Sequence, residues 1–296
     1  MHRFMRASAA AFFVCVLTAR PAAAGPFSFS TGSVTNLMAI ASRPDSAGKF
    51  EIESADDFVL TSPTSITSAT FTGLLTGGAT TANIGEVRVE IYRVFPNDSN
   101  VARTSGPPFF STPNVPTRVN SPSDVELVDR DTLPAPGNLT FTTNLLTSSF
   151  TALNSVQPGG IHPMPGQTTG GNGPVTGQEV QFNVNFTAPF NLPPDHYFFV
   201  PQVQITTLTG EFLWLSGTRP IPFPPGFTDL QSWTRDDAID PDWLRVGGDI
   251  VGGAPAPTFN AAFSLTGEST PEPASLLLLG TGLMGMGLFA RRRRVL

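Results

Sequence analysis

The sequence predicts an all-β protein, a two-sheet β-sandwich of jelly-roll type. Three observations carry this. Segments with an apolar side chain at every second position recur along the body, bounded by Gly, Pro, Asn and Asp. No long stretch before the last 26 residues repeats with the 3.6-residue period of an amphipathic helix. The composition is that of strands and turns: 28 Gly and 29 Pro in 296 residues, but one lysine, Lys49. Glycine and proline weaken helices and punctuate turns. A propeller would show a blade-length repeat, and none is visible.

The elements follow in chain order. His2, Arg3 and Arg6 make a basic start, Ala7 to Thr18 is apolar, and Ala22-Ala23-Ala24 offers small residues for cleavage. Residues 1–24 therefore read as a secretory signal peptide cut after Ala24. The only cysteine, Cys15, lies inside it, after Phe12, Phe13 and Val14. No lipidation is expected there, and a processed chain would have no disulfide.

The body, residues 25–269, opens its strand candidates with Asp57 to Leu60 and Ile66 to Leu75. Glu86 to Phe95 is the clearest. Val87, Val89 and Ile91 alternate there with Arg88, Glu90 and Tyr92, as on a half-buried strand. Val180, Phe182, Val184 and Phe186 alternate with Gln181, Asn183 and Asn185. His196 to Thr206 and Glu211 to Ser216 suggest a strand pair across Leu208-Thr209-Gly210, and Thr258 to Thr266 the last strand. Pro96 to Pro122 reads as a loop. Gln157 to Gly177, QPGGIHPMPGQTTGGNGPVTG, reads as a long loop within one sandwich, with a two-domain division as the alternative.

The tail, residues 270–296, has three parts. Pro271, Glu272 and Pro273 form a stiff, extended motif. Ala274 to Ala290 carries no charge and spans roughly 25 Å as a helix, close to a bilayer core of about 30 Å. Arg291, Arg292, Arg293 and Arg294 follow and would stay on the cytoplasmic side. This order resembles the PEP-CTERM sorting signal of Gram-negative bacteria. The resemblance implies recognition by an exosortase, a transpeptidase-like membrane enzyme, and a host that makes exopolysaccharide. It maps Pro271, Glu272 and Pro273 to the recognition motif, residues 274–290 to the span and Arg291 to Arg294 to the stop. An ordinary tail anchor is the alternative. The body, through DDFVL, DPDWLRVGGD and FNAAFSLTG, is also similar to other β-rich bodies carried by such precursors. That likeness implies no site residues.

Charge narrows the partners. The chain has 17 basic and 23 acidic residues. Without Arg3, Arg6, Arg20 and the four tail arginines, ten basic residues remain. Without Glu272, 22 acidic ones remain, so the net charge moves from −6 to about −12. Such a body is no partner for nucleic acid, whose phosphates need a basic surface.

Chemistry is sparse. The nucleophile elbow, phosphate loop, dinucleotide fingerprint and zinc spacings are absent. His162 lies in the Gly/Pro loop and His196 opens HYFFVPQV. The most distinctive segment is Phe227 to Asp249, with Trp233, Trp243 and the carboxylates Asp229, Asp236, Asp237, Asp240, Asp242 and Asp249. Asp236, Asp240 and Asp242 are candidate calcium ligands, although the spacing is not that of an EF-hand. Turn-forming and capping are the alternative role. Trp214, Trp233 and Trp243 are candidates for stacking on sugar rings, with core packing as the alternative.

Three functions are therefore expected in order. The first is a non-enzymatic structural or adhesive protein of the envelope or exopolysaccharide matrix. It would use the secretion machinery, sit in the inner membrane before processing and need no cofactor. The second is a carbohydrate-binding module for extracellular polysaccharide, with calcium as a possible stabiliser. The third is a secreted hydrolase, which requires a cleft with two facing carboxylates or a serine beside His196.

Overall fold

Alternating side chains close into antiparallel ladders. A computed structural model describes residues 24–103, 119–162, 168–221 and 223–269. Its strands are β1 (Gly25–Ser30), β2 (Val34–Ala41), β3 (Ile52–Leu60), β4 (Thr64–Leu75), β5 (Ile84–Arg93), β6 (Val128–Asp131) and β7 (Leu139–Ala152). They continue with β8 (Ser155–Val156), β9 (Val175–Leu192), β10 (Asp195–Ile205), β11 (Phe212–Gly217), β12 (Trp233–Asp236), β13 (Leu244–Arg245) and β14 (Phe263–Ser269). The all-β class is as expected, in two sheets.

The eight-stranded sheet runs β1-β14-β4-β11-β2-β8, with β9 paired to β4 and β7 paired to β9. The six-stranded sheet runs β13-β12-β3-β10-β5-β6. β2 and β8 pair in parallel, and the other strand pairs are antiparallel. The main core lies between the inner faces and is rich in phenylalanine. Phe71 stacks on Phe182 at 4.8 Å, and Phe199 on Phe263 at 4.9 Å. Each such pair adds about 0.5–1.5 kcal/mol beyond the area it buries.

Four expectations change. His196–Thr206 and Glu211–Ser216 do form strands, but not a hairpin. β10 pairs with β3 and β5, whereas β11 pairs with β2 and β4, so the chain crosses between sheets at residues 206–211. The closing strand starts at Phe263, not at Thr258. β5 is not half-buried: Arg88 is half-exposed, but Glu90 and Tyr92 are buried like the valines opposite. Lastly, β1, β2, β6, β7, β8, β12 and β13 have no counterpart among the expected strands.

The burial of Tyr92 has a simple cause. Leu230 and Trp243, from the segments flanking β12, pack with Trp233 of β12 itself on the outer side of the six-stranded sheet. Leu230, Trp233 and Trp243 form a small cluster there with Ala55, Tyr92, Phe198 and Val200. At Gly247, just after β13, a Cβ would stand 1.9 Å from the Pro257 carbonyl oxygen, so the 257–258 segment passes there only over a glycine.

Ala24 to Thr270 form one compact unit. Within the Gly/Pro loop, Asn172 N–H donates to Ser155 O and Thr169 N–H to Ile250 O. Among the described residues no helix is long and apolar enough to cross a membrane. Residues 1–23 of the expected leader, Pro271 to Pro273, the span 274–290 and Arg291 to Arg294 lie outside the described residues.

Candidate functional site

Period two places Arg88, Glu90 and Tyr92 on one side of β5. Glu53 stands on β3, and Arg235 is its direct partner across the ladder from β12. These side chains line a cleft of about 600 Å³. Its acidic lining includes Glu51, Asp124, Glu126, Asp236, Asp237 and Asp240.

Arg235 is the hub. Its Nε donates to Glu53 Oε2, and its Nη2 donates to the Tyr92 hydroxyl at 2.9 Å. Its Nη1 reaches Asp240 Oδ1 at 2.9 Å and the Asp124 carbonyl at 3.0 Å. The guanidinium lies 4.4 Å from the centre of the Trp243 ring. Tyr92 O–H donates to Glu53 Oε1 at 2.5 Å. Arg88 ties the rim, donating from Nη2 to Glu86 at 2.9 Å and from Nε to Asp131 at 3.0 Å.

The electrostatics are those of crowded carboxylates. Burial pushes the Glu90 pKa well above the ordinary range, and the Glu53 charge adds to this. Burial, then Glu53, also raises Glu51. Glu86 is raised to about 7 by burial, followed by its contact with Asp131. Glu53 and Glu90 both line the cleft, where the Tyr92 hydroxyl donates to Glu53 Oε1 and lies 3.4 Å from Glu90 Oε2.

A second polar cluster sits at the other end of the acidic motif on β3. Asp56 is fully buried and accepts from the Ser232 hydroxyl at 3.2 Å and from Ala261 N–H. Asp57 accepts at Oδ1 from Leu230 N–H and Gln231 N–H, both at 3.1 Å. Its Oδ2 lies 2.6 Å from His196 Nε2. Burial, joined by the neighbouring Asp57 charge, raises Asp56 well above its usual range. Ser232 serves Asp56 and not His196. Among the described residues no serine hydroxyl is hydrogen-bonded to the imidazole. The pair fastens the outer cover and the closing segment onto β3.

The sugar-stacking expectation for the tryptophans is corrected. Trp214, Trp233 and Trp243 are 0%, 1% and 2% exposed, so no ring face is open to a sugar. Their indole N–H groups donate inside the fold, to Ala262 O, Leu230 O and Ser123 O. The three candidate calcium ligands have separate roles. Asp236 caps a turn by accepting from Ala238 N–H, Asp240 is held by Arg235, and Asp242 is wholly buried. These three do not converge. Among the described residues no group of three or more His, Cys, Asp or Glu side chains can hold a metal ion. Sequence reasoning missed Glu53, Glu90, Tyr92 and Arg235. The available signal was the polar side of β5, which reads as solvent-facing until its cover is known.

From the end of the last strand, residues 269–294 match the PEP-CTERM protein-sorting motif. The chain carries a PEP-CTERM tail. Such a tail marks an exported precursor, held in a membrane and processed by an exosortase. No curated protein matches the chain, and no solved structure does. The PEP-CTERM match begins on Ser269, the last residue of β14. Ser269 pairs with Gly25 on β1 and with Thr64 on β4, so the tail leaves from inside a three-strand ladder.

Proposed function

We propose that this protein is a non-enzymatic structural or adhesive component of the cell envelope or exopolysaccharide matrix. The PEP-CTERM match directly after β14 carries the reading. In it, residues 1–24 are removed on export and residues 274–290 hold the precursor in the inner membrane. An exosortase then acts at Pro271-Glu272-Pro273, and the two sheets serve as a jelly-roll sandwich. The buried tryptophans support a body built for packing.

Intact mass and cell fractionation test this in hosts with and without exosortase. Loss of both ends in the first host and retention of the uncut tail in membranes of the second is the expected result. A tail that stays attached in both hosts overturns the sorting reading.

The cleft favours a second reading, binding of a matrix polysaccharide. Its volume of about 600 Å³ is within the range of ligand sites, about 300–1,000 Å³. Glu126 and Asp237 are exposed on its rim and can accept hydrogen bonds from sugar hydroxyls. Glycan retention by the mature protein should fall about tenfold in a Glu126→Ala/Asp237→Ala variant, the loss of about 1.4 kcal/mol of contacts. Equal retention by both proteins removes the cleft from the function.

A further inference from the structure

β1, β14, β4, β9 and β7 lie side by side in that order in the eight-stranded sheet. Their register aligns Ser28, Thr266, Ser68, Asn185 and Thr140 in one row across all five strands. A second row, two residues away on each strand, is Ser30, Ser264, Thr70, Asn183 and Thr142. The row between them is Phe29, Leu265, Ala69, Val184 and Phe141, which belongs to the phenylalanine core or packs against it. Alternation therefore turns both polar rows outward. None of their ten residues is buried. All ten are hydroxyls or amides, on a body whose net charge is about −12. The only charged residues of these five strands, Glu179 and Glu268, stand outside both rows.

The face is ordered as well as neutral. The Thr70 and Ser264 hydroxyls are 2.6 Å apart, and those of Ser68 and Thr266 are 2.5 Å apart. These cross-strand bonds hold the hydroxyls in place, and each oxygen can still accept another bond. Asn183 and Asn185 bring amides that both donate and accept. Neighbouring strands lie about 4.8 Å apart, so each row runs roughly 19 Å, and the two rows are about 7 Å apart.

We infer that this face binds a neutral polysaccharide, laid along the rows and across the strands. Chemistry selects the occupant. An apolar partner would take water from the hydroxyls and amides and leave them unbonded, at about 1–3 kcal/mol each. A polyanion finds no cation in the rows and is repelled by the body's charge. A second copy of the chain carries that same charge. A polycation finds no carboxylate in the rows, whereas the acidic cleft lies on the other sheet. A neutral chain of sugar hydroxyls brings donors and acceptors together and meets none of these costs. The inference rests on the matrix reading for the source of such a chain, and gives it a surface separate from the cleft.

Retention of the processed protein, purified from the exporting host, on immobilised glucan, mannan and galactan tests it, with polygalacturonate as the charged comparison. Retention by at least one neutral polymer and none by polygalacturonate is expected. It should be the same at about 0.05 and 0.5 M sodium chloride, because salt screens charges and leaves neutral contacts alone. Asn183→Ala/Asn185→Ala removes two amides from the middle of the rows and should weaken retention about tenfold. Thr140→Ala/Thr142→Ala, on exposed positions of the outermost strand, should weaken it about threefold. Unchanged far-ultraviolet spectra show that both variants fold. Absence of retention on all three neutral polymers overturns the inference. So does equal retention of wild type and both variants, or a loss confined to the cleft variant Glu126→Ala/Asp237→Ala. Fractionation judges the sorting separately, so a correctly processed protein that holds no neutral polymer removes this surface and leaves the matrix reading in place.

Discussion

Replacing Arg235 by alanine is expected to destabilise the body by about 3–5 kcal/mol, the usual result of removing one partner from a buried ionic group. For a domain of this size that lowers Tm by about 6–20 °C. The side chain is 6% exposed and joins Glu53, Tyr92 and Asp240. Without it, Glu53 loses its ion-pair partner and keeps its place near Glu90, whose remaining cation is Arg88 at 3.8 Å. The Trp243 ring loses the guanidinium lying over it. Urea denaturation at pH 7.5 measures the effect, and Arg235→Lys should recover only part of it, because an ammonium cannot fork between Glu53 and Tyr92. A loss below about 1 kcal/mol would place Arg235 among surface ion pairs and break the account of the cleft.

The second large effect is that the body gains stability as pH falls from neutral. Glu90, Asp56, Asp57, Glu51, Asp236 and Asp249 are all raised, in each case chiefly by burial, and Glu86 is raised to about 7. A raised carboxyl binds its proton more tightly folded than unfolded. Stability therefore falls as pH rises from the unfolded value through the folded one. For Glu86 that window runs from 4.5 to about 7. Tm by differential scanning calorimetry should be higher at pH 5 than at pH 7.5 by about 5 °C or more. The Arg235→Ala loss should also shrink as pH falls, because burial and the Glu53 charge raise the Glu90 pKa and a proton taken up there relieves its repulsion with Glu53. A Tm that climbs steadily from pH 5 to 7.5 would contradict both statements.

What was legible in the sequence was whatever obeys a short period. Val87-Val89-Ile91 and Val180 to Phe186 declared their strands because one side of each faces a phenylalanine core. β7 did not, because an edge strand of threonine, serine and asparagine has too little burial to impose alternation. β10 and β11 looked like a hairpin because two apolar runs flank a glycine turn. Which sheet receives each run is decided by residues far away, such as Ser42, whose hydroxyl donates to Pro201 O at 2.6 Å. The candidate site was hidden for the same reason. Glu53 and Arg235 are 182 residues apart. The acidic Phe227–Asp249 segment stood out in the sequence, but its tryptophans are buried, and of its aspartates Asp236, Asp237 and Asp240 line the cleft.

The position of Ser269 has a mechanical consequence. β14 lies between β1 and β4, paired to both along its length. A pull on the PEP-CTERM tail along the strand enters at Ser269 and loads both ladders in shear, so their hydrogen bonds resist together instead of opening one by one. Gly25, at the end of β1, lies beside the point of load and bears none of it directly. A body tethered in this way meets tension through two ladders at once.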